Sequence, residues 1–442
     1  MAEHGNRTEL PAHKYRSQLL LLSRAGRQVL SGMFGSRQPA DRELAAFYRQ
    51  ERKCGSRDRS FINGGLYALL RHWGWTRKLL NDDLRRRIES GNIALSDRDL
   101  LALFFFGAYC DHKNPEFTRQ LANHLELSAV PLQSIPETAV LRGEAAAKAL
   151  GFDMTFSNHD LLPDWCIGLL PQEYIEQIAQ RPPVWLRINR FRKAETLAAL
   201  DAAGIQYTLH PTLPFAAAIR ESSINLPATE AFQKGWFEIQ DLASQLIAAF
   251  CTPGSGERWF DPCAGAGGKT LALADAMQGK GTISAGDIRE KPLIELRKRA
   301  NRYGYSNIQI RQHSGKPPRG LHPFDGVLVD APCSGSGVWK RNPGNQWLLD
   351  ASQPEQFAEK QLRILEDFSA CVKKGGTLVY ATCSAFRIEN QNVVERFLSK
   401  HPDFELSEIP HPLDNQKQSA FLEPVFDFPC DIMFAARMER KK

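Results

Sequence analysis

The stretch that most constrains this chain is DPCAGAGGKT, Asp261 to Thr270, set between a short run ending in Trp259 and Phe260 and the helical pattern LALADAM. A strand that breaks into small residues and then starts a helix brings backbone close to a ligand and aims the helix N-terminus at it. A tight turn in any α/β domain has the same look, so the turn alone decides little. The surrounding unit decides more. Thr282 to Ala285 reads as a second strand closed by Asp287. An acid about 20 positions beyond such a turn is where Rossmann-type folds place the ligand of ribose hydroxyls.

From Arg258 onward, strands and helices alternate as in a doubly wound α/β sheet. The expected strands are WFD, TISAGD, IQIRQ, FDGVLVD, TLVYAT and CDIMFAARM. Two further loops follow strand ends: DAPCSGSG, Asp330 to Gly337, and Thr382-Cys383-Ser384. The ligand crevice of an open α/β sheet lies outside the carboxyl ends of its strands, so these loops, the glycine turn and Asp287 should converge. A single buried cysteine is usually an inert small hydrophobe. Cys333 and Cys383, both flanked by small polar residues at strand ends, are a different case.

Upstream, residues 14 to about 150 carry apolar residues at helical spacing, as in SQLLLLSRAGRQVLSGM and ADRELAAFYRQERK. Arg49, Arg52, Arg57, Arg59, Arg71 and Arg85 to Arg87 punctuate them, reading equally as a solvated face or an RNA-facing one. Prolines 163, 171, 182 and 183 mark a joint. The strand VWLRINR, the helix AETLAALDAAG and the segments IQYTLHPTL and FAAAIRESS then suggest a small α+β unit. Arg187, Asn189, Arg190, Arg192 and Lys193 would form a phosphate-contact patch at its strand end. Three domains are expected: 1–160 helical, 161–236 small α+β, and 237–442 doubly wound.

The balance of the 442 residues limits the alternatives. The net charge of +6, from 56 Lys+Arg against 50 Asp+Glu, favours a polyanionic partner without requiring one. No apolar leader is visible at the start and no apolar run is long enough to span a bilayer. Nine cysteines without a C-x-x-C pair argue against a zinc site or a disulfide framework. A reduced, cytoplasmic protein with no metal and no membrane partner is expected, with monomer as the default state.

Two thiols beside a nucleotide-like site suit one chemistry. Carbon 5 of a pyrimidine is a poor nucleophile until a thiolate adds to carbon 6; it can then attack an electrophilic methyl group, after which the carbon-5 proton and the thiolate must leave. A basic surrounding is needed to raise the thiolate fraction, and Lys269, Lys340 and Arg341 are the candidates.

These motifs resemble the Sun/nucleolar-protein family of RNA cytosine-5 methyltransferases, most closely its bacterial RsmB-like ribosomal RNA enzymes. The resemblance is strongest from about Pro183 to Arg437, through PVWLRINRFR, FEIQDLASQL, DPCAGAGGKT, VDAPCSGSGVWKRNP and YATCSAFRIENQNVVERFL. It implies a class I Rossmann-like methyltransferase domain preceded by an RRM-like α+β domain and an N-terminal NusB-like RNA-binding domain. The cofactor implied is S-adenosyl-L-methionine, and the partner is RNA. Ribosomal RNA of the 16S type is favoured and transfer RNA is the alternative. By position, Cys383 would attack the base, Cys333 would aid release, and Asp330 would contact the base and border the cofactor. Cys263, Ala264, Gly265, Ala266, Gly267, Gly268 and Lys269 would form the methionine-side loop, with Asp287 on the ribose. Two positions depart from the family. Ala266 replaces a usual proline, and His313-Ser314 replaces an aspartate near the adenine, so Ser314 or a backbone amide is expected there. Rival readings are a DNA cytosine-5 enzyme attacking through Cys333, a non-catalytic RNA-binding assembly factor, and a nicotinamide-dependent dehydrogenase.

Overall fold

The computed structural model describes residues 12–442 except 128–129, 131, 133, 221–223, 319 and 321–322. The start MAEHGNRTEL and the end of FAAAIRESS thus lie outside the described residues. The chain divides into two compact units.

The first unit is helical and runs to Gln180. Its long helix Ala12–Ser36 buries Leu19, Leu22, Val29, Leu30 and Met33, spaced so that they share one face. The helix Asp97–Asp111 is started by the Ser96 hydroxyl, which accepts the Asp99 N–H at 3.1 Å. It is buried almost all round, as its run LLALFFFGAYC requires. The unit reaches past the expected boundary at 160, and it includes Asn342–Asp350. Within it, Gln346 donates to the Leu161 carbonyl at 2.7 Å, and Trp347 lies under the Arg77 guanidinium. The arginine triplet is largely self-neutralised, because Arg85 pairs with Asp82 and Arg87 with Asp83.

The second unit holds both the small α+β part and the doubly wound sheet. In the small part, strands β1 (Val184–Ile188), β2 (Tyr207–Leu209), β3 (Ala216–Ile219) and β4 (Phe237–Ile239) form an antiparallel sheet in the order β2-β3-β1-β4. Helices Lys193–Ala202 and Glu230–Gln233 complete a βαββαβ arrangement. Alternation along β1 sends Leu186 and Ile188 into this part's own core with Leu200 and Phe237. It sends Trp185 to the opposite face, into the core formed with Leu242, Leu246 and Ile247. Both faces of the small sheet are therefore covered.

In the large sheet, β5 (Arg258–Asp261), β6 (Thr282–Asp287), β7 (Ile308–Gln312), β8 (Phe324–Asp330) and β9 (Val372–Thr382) are parallel in the order β7-β6-β5-β8-β9. The last strand, Phe434–Arg440, pairs antiparallel with β9 and starts later than the expected CDIMFAARM. Strand order reverses between β5 and β8, and this switch point opens the crevice. Short strands at Phe404–Leu406, Ile409–His411, Asp414–Ser419 and Phe421–Leu422 were not expected; their sequences lack a sustained apolar alternation.

Candidate active site

A cleft of about 590 Å³ opens at the carboxyl ends of β5, β6, β8 and β9. Cys263, Ala264, Gly265, Ala266, Gly268, Lys269, Asp287, Asp330, Cys333 and Cys383 all line it. Gly267 stands behind the lining with φ of 85°, and a β-carbon there would meet Leu296 Cδ1 at 2.0 Å. A β-carbon on Gly265 would meet nothing within 4 Å, so the loop offers bare backbone to the cleft. The loop is braced from outside: Arg299 Nη1 donates to the Ala266 carbonyl at 2.8 Å, while its Nε and Nη2 bind the buried Glu238 carboxylate at 3.1 and 2.9 Å. These bonds hold the loop backbone at Ala266.

Asp287 closes β6 and is buried. Its carboxylate accepts the Gly265 N–H at 3.0 Å and the Arg289 N–H at 2.8 Å. Burial alone would raise its pKa, but the hydrogen bonds from Arg289 and Gly265 outweigh burial and hold it below the usual range. Ser314, expected at the adenine, is exposed and does not line the cleft; His313 and Gly315 occupy that wall. The His313 Nδ1 accepts the Gly315 N–H at 3.0 Å, so its Nε2 carries the proton donated to the Pro262 carbonyl at 2.8 Å.

Of the three cations expected to supply positive potential, only Lys269 lines the cleft. Its ammonium pairs with Asp330 at 2.7 Å. Burial opposes the Lys269 charge, and the Asp330 partner more than restores it, leaving its pKa above the ordinary value. Arg341 is instead bridged to Asp241 and Asp431 at 2.5 and 2.8 Å. Buried Lys340 has its pKa lowered by desolvation and is absent from the lining. Arg187 of the expected phosphate patch is buried against Asp275, and Arg190 donates to the Asp275 carbonyl. Arg192 remains exposed, beside exposed Phe191.

The two thiols meet: Cys333 Sγ and Cys383 Sγ are 3.2 Å apart. The hydrogen bond with Cys383, then burial, push the Cys333 thiol well above its ordinary pKa, so it keeps its proton. Sequence reasoning passed over two acids here. Asp261 is buried at the end of β5, where its Oδ2 accepts the Thr270 hydroxyl at 2.7 Å. Among the described residues its Oδ1 has no hydrogen-bond partner. Burial raises its pKa to about 7. Glu389 is fully buried below the thiol loops, inside a motif whose cysteine drew attention first. An acid within a short polar run before a helix was the only signal for it.

Known proteins are similar to this chain. Residues 248–438 match the family model described as 16S rRNA methyltransferase RsmB/F. Ribosomal RNA small subunit methyltransferase B of Klebsiella pneumoniae is 34% identical over 279 residues, 60% of this chain and 64% of that protein. The protein of the same name from Salmonella paratyphi A is 36% identical over 264 residues, 57% of this chain and 61% of its own length. The chain thus matches somewhat under two thirds of these relatives. Among solved structures, PH0851 superposes with a TM-score of 0.71 at 20% identity, covering 98% of this chain and 100% of that one. A methyltransferase homologue from Pyrococcus horikoshii superposes at 0.51 with 26% identity, covering 64% of this chain and 99% of that one. The glycine loop, the paired thiols and the sheet order all fall within or beside the matched segment, and residues 248–438 are similar to the RsmB/F methyltransferase family.

Proposed function

We propose that this protein is a cytoplasmic enzyme that transfers a methyl group from S-adenosyl-L-methionine to carbon 5 of a cytosine in small-subunit ribosomal RNA. The observation that carries this reading is the 3.2 Å approach of Cys333 and Cys383 on the same cleft as the glycine loop and Asp287. The cleft fits the cofactor: bare backbone at Gly265, a low-pKa acid at Asp287 and an unpartnered buried oxygen on Asp261 suit a methionine head and a ribose. When bound, the cofactor supplies an electrophilic methyl group. Gly265 to Lys269 and Asp261 would hold its amino-acid end. Asp287 would hold the ribose hydroxyls once the Arg289 side chain, which is largely exposed, swings aside.

The protein's own groups divide the remaining work. Cys383 adds to carbon 6 of the base. Cys333 keeps its proton at that stage, which leaves the attack to its neighbour. The largest cause of the raised Cys333 pKa is its interaction with Cys383. Once the Cys383 sulfur is bonded to carbon 6, Cys333 stands 3.2 Å from it, placed to act as the carbon-5 proton and the Cys383 sulfur leave. Asp330, held by Lys269, presents its carboxyl group to the polar edge of the base.

The test is transfer of labelled methyl from S-adenosylmethionine to small-subunit RNA purified from cells lacking the enzyme, with the product base mapped. 5-Methylcytosine in that RNA is expected. Transfer only to transfer RNA would replace the substrate, and tight RNA binding without transfer would favour the assembly-factor reading.

A further inference from the structure

We propose that Glu389 is a positioning residue whose buried carboxylate ties the Cys333 loop to the Cys383 loop and so sets the spacing of the two thiols. This rests on the methyltransferase reading above for its consequence in catalysis, though not for its geometry.

The carboxylate lies where the two loops meet. Its Oε2 accepts the Ser334 backbone N–H at 2.9 Å and the Gln361 side-chain amide at 2.8 Å. Its Oε1 accepts the Ser384 hydroxyl at 2.7 Å and the Ser334 hydroxyl. Ser334 directly follows Cys333, and Ser384 directly follows Cys383. One carboxylate therefore holds the residue next to each thiol. Ser336 adds a second tie, accepting the Ala385 N–H at 2.8 Å, and the neighbouring Asn390 donates to the Ser384 carbonyl at 2.9 Å. The opposite side is fixed too: the Tyr380 hydroxyl donates to the Glu389 carbonyl at 2.5 Å, and Gln361 also donates to the Pro332 carbonyl at 3.1 Å.

Two features separate this from packing alone. Glu389 is fully buried, and among the described residues its carboxylate is met by hydroxyls, an amide side chain and a backbone N–H, with no Lys or Arg. A buried carboxylate is costly unless its lone pairs are filled, so an apolar side chain would stabilise a mere core position better. Every one of these groups also donates. A glutamine of the same shape would turn an N–H₂ either toward the Ser334 N–H, which cannot accept it, or toward the two serine hydroxyls, which would have to reverse their donation, so the network between the loops would weaken either way. Placement errors of about 1 Å at reacting groups cost on the order of 100-fold in rate, so a loose tie shows in turnover before it shows in binding.

The experiment uses the full chain and three variants: Glu389→Gln, Ser334→Ala and Ser384→Ala. Two readouts are taken, together with the melting temperature. The first is kcat, KM for RNA and affinity for S-adenosylmethionine. The second is independent of activity: the rate at which diamide joins Cys333 to Cys383, mapped by peptide mass spectrometry. In that probe reaction the diazene takes up the two thiol hydrogens and the sulfur–sulfur bond forms. For Glu389→Gln the expected result is a kcat lower by about tenfold or more, with KM and cofactor affinity within about twofold, and a slower thiol coupling. Ser334→Ala and Ser384→Ala keep the carboxylate and remove one hydroxyl tie each, while the Ser334 backbone N–H still reaches Glu389, so both should show smaller losses in both readouts. Wild-type coupling and wild-type kcat in Glu389→Gln would overturn the proposal, as would a kcat loss that merely follows the folded fraction while coupling is unchanged. If Glu389→Gln does not fold, unchanged coupling in both serine variants overturns it. A wild-type protein that couples its thiols but methylates no RNA would refute the methyltransferase reading and leave the tie standing.

Discussion

The Lys269 ammonium lies 2.7 Å from the Asp330 carboxylate, joining the glycine loop after β5 to the loop that carries Cys333. The pair is mostly buried, with side-chain exposures of 11% and 28%, so removing either partner strands a charge. Lys269→Met should destabilise the protein by about 1–3 kcal/mol. The double change with Asp330→Asn should cost less than the sum of the single changes. Urea denaturation of the four proteins in a double-mutant cycle measures this, and strict additivity would show that the pair is not coupled.

Gly267 and Gly268 should part company on mutation. Position 267 needs a positive φ and has Leu296 in the way of any side chain, whereas a β-carbon at 268 comes no closer than 3.6 Å to Gln240. Gly267→Ala should cost about 1–3 kcal/mol of stability and impair cofactor binding. Gly268→Ala should fold normally, while Gly268→Asp should fold and lose the cofactor, because its carboxylate competes for the backbone donors. Calorimetry on the folded variants decides; equal cofactor affinity in Gly268→Asp would refute this use of the loop.

The thiols should fail at different steps. Cys383→Ala should be inactive and form no covalent adduct with RNA. Cys333→Ala should still attack the base but not let go, accumulating a protein–RNA adduct that survives denaturing electrophoresis, and the double variant should abolish it. A trapped adduct with Cys383→Ala and none with Cys333→Ala would reverse the assignment.

RNA binding should depend on cations that the helical unit leaves exposed. Arg49, Arg52, Lys53 and Arg57 are exposed, while Arg85 and Arg87 are neutralised by neighbouring aspartates. Replacing the first set by alanine should weaken RNA binding and flatten its salt dependence, by about 0.7–0.9 in the logarithmic slope for each phosphate that is no longer neutralised. Replacing Arg85 and Arg87 should leave the slope unchanged. Binding measured from low to high salt tests both sets, and an unaltered slope in the first would make these residues a solvated face only.

Asp261 should couple stability to pH. Its folded pKa is raised from 3.8 to about 7 by burial, so the folded state binds the proton more tightly than the unfolded chain. Its contribution is therefore fully present below about pH 4 and is lost as pH rises toward 7. Without cofactor, the melting temperature of Asp261→Asn relative to wild type should rise between pH 4 and pH 8. A constant difference over that range would show that Asp261 titrates normally.

Short runs of residues are enough to specify part of this protein. The alternation of strands and helices from Arg258, the small-residue turn after β5 and the loops bearing Cys333 and Cys383 are each set by a short run of residues, and sheet topology then forces them to one rim. Tertiary structure decided how charges and polar groups were shared out. Arg341 looked like a cleft cation but is taken by Asp241 and Asp431, one about a hundred residues before it and the other ninety after. Ser314 stood at the right sequence position yet faces solvent beside His313 and Gly315. Asn342–Asp350 closely follows the Cys333 loop in sequence and packs in the helical unit, because its anchors, such as Leu161, lie far away along the chain. Glu389 was one acid among many until the fold enclosed it between two loops. Spacing fixes a residue's face and its element, whereas the partner of a buried charge is chosen by whatever distant chain the fold brings against it.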